Sequence, residues 1–227
     1  MDKQIEIPKD VLSNVEKRQL TFQAILKGVP YIGEPINHLV YGRLDELRWK
    51  RIEKTLNEVA EILNSRGNIP EINERFANLL EEILPTIAKE TIEEKRQAYV
   101  TLLVNSATVV SDEKEEEAKL IAEILNELPS VALSILAGAN KANGTFSIVS
   151  HPAPQVFAGK YDEKNYEEQG VFHKINFQWP IVEEWTKRLR EKRCITYGSH
   201  GKFGYHGAAI MPLGKLINDW CIASSNK

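Results

Sequence analysis

The chain has 227 residues, of which 42% are hydrophobic and 27% charged, and a formal net charge of −3. Those are ordinary globular values: they exclude a disordered or fibrous chain and leave room for one large domain or two small ones. Cys194 and Cys221 are too few for a disulfide scaffold and lack metal-ligand spacing, and no apolar leader opens the sequence, so a cytoplasmic protein with two buried free thiols is expected.

In chain order, Val11, Leu12, Val15, Phe22, Ile25 and Leu26 mark a first helix, which ends in a turn at Gly28, Pro30, Gly33 and Pro35. Trp49, Ile52, Leu56, Val59 and Leu63 recur at alternating spacings of three and four, placing them on one face of a long helix that stops at Gly67 and Pro70. Ile72, Phe76, Leu79, Ile83 and Ile87 predict a third helix, with Pro85 expected to kink or shorten its last turn. Thr91 and Glu94 read as a capping box for a fourth, whose apolar second half predicts the most buried helix of the bundle. Ser111 caps a fifth, with Asp112, Glu113, Glu115, Glu116 and Glu117 at the positive end of its dipole. Five carboxylates on nearly consecutive positions point around a helix, so they predict a solvated face and no metal site.

Ser130 restarts a helix through Ala137, and residues 143–170 read as irregular connection or a short helix. Pro180 suits the first turn of the next helix, on which Ile181, Trp185 and Leu189 form one stripe. Lys187, Arg188, Arg190, Lys192 and Arg193 make this the candidate surface for nucleic acid or a partner, with Lys202 on the glycine-rich hairpin that follows. Residues 194–197 and 205–211 are the predicted strands of that hairpin. A final helix begins near Pro212. The fold class predicted is mainly α: an N-terminal helix and turn over 1–43, a helical bundle over 44–128, and a winged-helix-like domain with a small β-hairpin over 129–227.

Charge is unevenly shared. Residues 171–227 hold nine Lys/Arg against four Asp/Glu, or +5, and residues 1–170 therefore carry −8. The basic end could meet phosphates or dock on the acidic half of its own or another copy.

Enzymatic motifs are missing from this pattern. None of His38, His151, His173, His200 and His206 has a partner at metal spacing, and the wing glycines match neither a Walker loop nor a dinucleotide fingerprint. The expectation is a non-enzyme with no catalytic residue, no cofactor, no metal and no identified small-molecule substrate.

GVPYIGEPINHLVYGRLDELRWKRIEKTLNEVAEIL, EEKRQAYVTLLVNSA, LNELPSVALSIL and PLGKLINDW together resemble a set of bacterial proteins. Some of these are similar to abortive-infection alpha-type proteins, which join a helical domain to a C-terminal winged helix. The resemblance implies a link to phage defence and supplies no active site, because its motifs are structural. Three readings stay open: an interaction protein with a protein partner or a homo-oligomer, a DNA-binding regulator, and a membrane-perturbing effector that inserts residues 22–41.

Overall fold

In the computed structural model, which describes residues 46–66, 74–109, 111–142, 144–150, 153–158, 172–196, 199–201 and 204–222, α1 (Glu46–Ser65) buries Trp49, Ile52, Leu56, Val59 and Leu63 along one face. The first helix and turn expected over 1–43, the segment 22–41 and Lys202 lie outside the described residues. α2 (Glu74–Lys89) buries Phe76, Leu79, Leu80, Ile83, Leu84 and Ile87. Pro85 does not shorten it: the proline faces solvent, the helix reaches Lys89, and Glu90 N–H still bonds the Thr86 carbonyl at 3.0 Å.

α3 (Glu93–Ser106) is the central helix, in contact with α1, α2 and three later helices, with Tyr99, Leu102 and Leu103 almost wholly buried. Its start corrects the expected capping box. The N-cap is Ile92, which has no accepting side chain, and Glu90 Oε1 instead accepts the Ile92 N–H at 2.8 Å. A side-chain cluster fixes this end. Arg96, 3% exposed, donates from Nε to Glu93 at 2.9 Å, from Nη2 to Glu58 at 2.7 Å and from Nη1 to Thr55 Oγ1 at 3.4 Å. The Arg96 guanidinium holds the Glu93 carboxyl well below the usual carboxylate range, with Gln97 and Lys54 assisting. α4 (Asp112–Glu127) is capped by Ser111, whose hydroxyl accepts the Lys114 N–H at 3.4 Å, and buries Ala118, Ile121, Ala122 and Leu125.

The chain then turns from bundle to sheet through α5 (Ser130–Ala142), which outlasts the predicted end at Ala137. Residues 143–170, read as irregular, contain β1 (Thr145–Val149) and β2 (Gln155–Ala158), and β3 (Phe172–Lys174) follows. After α6 (Trp179–Glu191) come β4 (Ser199–Gly201), β5 (Gly204–Ala209) and α7 (Pro212–Cys221). The strands form one antiparallel sheet in the order β3-β2-β1-β5-β4, larger than the lone hairpin expected. β1 lies at its centre, and Phe146, Ser147, Ile148 and Val149 are all buried; the alternation Thr145, Phe146, Ser147, Ile148 in its sequence is brief and lies between turn-forming residues. Of residues 194–197, predicted as a strand, 194–196 form an isolated Ile195–Ile210 bridge, with Thr196 N–H bonding the Ala209 carbonyl at 2.8 Å and Met211 N–H the Cys194 carbonyl at 2.9 Å, and 197 lies outside the described residues.

Close backbone approaches set the packing. Phe146 and Ile148 face Ala208 and Tyr205, so β5 carries one extra residue, and Gly207 takes φ +71 in that bulge. Gly204 has φ +142, and a Cβ there would lie 2.1 Å from the Ile148 carbonyl oxygen. Gly138 lets α5 sit on β2 and β3, since a Cβ would come within 2.7 Å of Val156 and 3.0 Å of His173 Cδ2. α7 closes the molecule: Asn218 Nδ2 donates to the Leu136 carbonyl at 3.1 Å and Asn105 Nδ2 to the Trp220 carbonyl at 3.0 Å. One hydrophobic core runs from Trp49 in α1 to Cys221 in α7.

Candidate docking surface

α6 is anchored by Val182, Thr186 and Leu189, all buried, and Thr186 Oγ1 donates to the Val182 carbonyl at 2.7 Å. With those residues inward, the rest of the helix faces out. Pro180 stands in the first turn, where its missing N–H has no intrahelical acceptor to leave unpaired. The other end closes as a Schellman motif: Cys194 N–H bonds the Leu189 carbonyl at 2.8 Å and Arg193 N–H the Arg190 carbonyl at 2.9 Å. The left-handed residue this motif requires is Arg193, at φ 58, where glycine is the ordinary choice.

Lys187, Arg188, Arg190, Lys192 and Arg193 are all exposed. Three of them meet carboxylates of the same chain. Lys187 lies 3.4 Å from Glu183, Arg188 2.9 Å from Glu184, and Lys192 2.6 Å from Glu127 at the end of α4. The Lys192 ammonium lowers the Glu127 carboxyl below its ordinary value. The acidic bundle therefore touches α6 at its C-terminal end and leaves its outward face open. On that face Ile181 is 45% exposed, Trp185 is half-buried, and the Arg188 guanidinium sits 5.0 Å from the Trp185 ring centroid. Positions 181, 185 and 188 share one helix face, so an aliphatic residue, an indole and a guanidinium form a continuous stripe.

The hairpin flanks this surface. His200 Nε2 on β4 lies 3.8 Å from Glu183, its ring packs edge-on to Tyr205 at 4.8 Å, and Tyr205 lies 6.5 Å from Trp179 at the start of α6. The structure thus brings five of the six predicted site residues to one helix and its C-cap, beside the hairpin. The glutamates interleaved with the cations and the Ile181–Trp185 stripe are legible in the sequence, whereas the partner each cation meets, Glu127 above all, is not.

A second concavity escaped the sequence reading. A cleft of ≈ 570 Å³ opens between α3, α5, β3 and the end of α7. At its wall Ser134 Oγ lies 3.3 Å from His173 Nε2. Burial, aided by Lys141, lowers the His173 pKa and keeps the ring neutral at pH 7. These residues are 39 positions apart and no spacing rule links them; they meet only because Gly138 lets β3 close on α5. Cys194 is buried in the core and its thiol pushed up to about 11, and burial raises Cys221 as well, so neither is an activated nucleophile. Among the described residues no group of three or more His, Cys, Asp or Glu is placed to hold a metal ion, and no helix is long and apolar enough to cross a membrane. Comparisons of the chain with protein-family models, curated proteins and solved structures find no match.

Proposed function

We propose that the protein is a non-enzymatic interaction protein whose helical bundle and C-terminal unit are docking surfaces, with α6 as the principal contact. The observation that carries this reading is the stripe along α6 of exposed Ile181, half-buried Trp185, whose inner side packs on the core, and exposed Arg188. Aromatic and arginine side chains beside an aliphatic anchor are the composition of a protein-binding hot spot. The occupant is a second copy in a two-fold arrangement. The basic portion, at +5, complements the acidic portion, at −8, and exposed Glu81 and Glu82 on α2 with Glu113, Glu116 and Glu123 on α4 offer the opposing charge. The resemblance to abortive-infection alpha-type proteins supports a bacterial setting in phage defence.

A DNA-binding regulator is the second reading. Its support is the order of elements: the β4–β5 hairpin follows α6, and β5 pairs with β1, as a wing does in a winged helix. Light scattering at low and high salt, run beside a titration against duplex DNA, separates the two. Self-association that weakens with salt, without saturable DNA binding, is expected. A monomer at both salts with salt-dependent duplex binding would replace the first reading by the second.

A further inference from the structure

We infer that the cleft between α3, α5 and β3 is a binding site for a partly aromatic small molecule of nucleoside size that carries hydrogen-bond donors, oriented by Thr101 and the Ser134–His173 pair. The proposal stands apart from the α6 surface. Its volume, ≈ 570 Å³, falls inside the range of small-molecule sites, about 300–1,000 Å³, and it lies at the junction of the bundle with the sheet, where such sites concentrate.

The chemistry of the walls selects the class. The 3.3 Å bond between Ser134 Oγ and His173 Nε2 uses one donor and one acceptor of the pair, and the serine hydroxyl oxygen, held in place by the ring, keeps a lone pair for a ligand donor. Thr101 Oγ1 gives its proton to the Gln97 carbonyl at 3.1 Å and keeps its lone pairs for a ligand donor. Half-buried Phe177 provides an apolar wall. At the rim Glu93 is bonded to Arg96 and Lys54, which leaves Glu94 against Lys174, so the mouth carries no strong net charge. Hydrolysis is not the better reading of the Ser–His pair. Among the described residues the ring makes no hydrogen bond except that to Ser134, whereas an activated serine needs a base oriented by a third group.

The test is ligand-observed NMR of the full chain with adenosine, guanosine, cytidine and uridine, followed by titration of any binder. At least one nucleoside is expected to bind. Ser134→Ala and His173→Gln should each weaken that binding about tenfold, the consequence of one lost hydrogen bond. Thr101→Trp, which fills the cleft from the half-exposed face of α3, should abolish it. Circular dichroism and thermal midpoint establish that each variant is folded, and Arg188→Ala on α6 should bind like wild type. No signal from any nucleoside, or binding indifferent to either Ser134→Ala or Thr101→Trp, would overturn the assignment.

Discussion

Gly138 gives the sharpest test of how the sheet is held against α5. Alanine inside a helix ordinarily stabilises by about 1 kcal/mol relative to glycine. Here the added Cβ would stand 2.7 Å from Val156 Cβ and Cγ2, and those atoms must retreat about 0.7 Å to reach the 3.4 Å of ordinary contact. Val156 is 1% exposed and paired with both Ile148 and His173 across the sheet, so it cannot move alone. Overpacking of this kind costs about 1–3 kcal/mol, which outweighs the propensity gain and leaves a net loss of about 1 kcal/mol for Gly138→Ala. Urea denaturation measures it. NMR titration supplies a second readout: moving β3 outward relieves the burial that lowers the His173 pKa, so the ring should titrate nearer its ordinary 6.5. A variant more stable than wild type, with His173 unmoved, would refute the packing described here.

Leu103→Ala, at a wholly buried position on the central helix, should cost about 2–5 kcal/mol in the same denaturation assay. Gly204→Ala should be far more damaging than Gly207→Ala, since the first drives a Cβ to 2.1 Å from a backbone oxygen and the second meets open space and only the strain of φ +71; thermal midpoints of the pair decide this. Arg193→Gly should stabilise by about 1 kcal/mol by relieving a left-handed conformation at the α6 C-cap. For pH, Glu93 has a depressed folded-state pKa, so its contribution is fully present above its ordinary value of 4.5 and is lost as pH falls below it. Glu93→Gln should flatten that acid limb of the stability profile, and an unchanged limb would show that the Arg96 cluster does not govern it.

The helices were legible wherever one face alone is buried. The stripe from Trp49 to Leu63 and the Ser111 cap appear in the structure as their spacing predicts. The start of α3 was not legible, because Arg96 reaches Glu58 on another helix and that contact, not Thr91, sets the end. β1 was hidden by its length: at five residues, and buried on both faces, its short Thr-Phe-Ser-Ile alternation does not stand out from the Asn143, Gly144, Pro152 and Pro154 loop signals around it. The basic residues of α6 were found from charge, yet their pairing with Glu183, Glu184 and the distant Glu127 depends on helix phase and tertiary contact. The cleft required the fold itself, since Ser134 and His173 meet only across the α5–β3 junction.

The central claim is that the outward face of α6 docks on another copy of the chain, and sedimentation equilibrium at low salt on wild type and Ile181→Ala/Trp185→Ala tests it most directly. Ile181 is exposed, whereas half-buried Trp185 also packs on the core, so the double variant loses the apolar anchor together with some stability, and circular dichroism at a temperature below its thermal midpoint establishes that it is folded. The account predicts a dimeric wild type and a folded, monomeric variant. A variant that associates as tightly as wild type, or a wild type that stays monomeric, would contradict it.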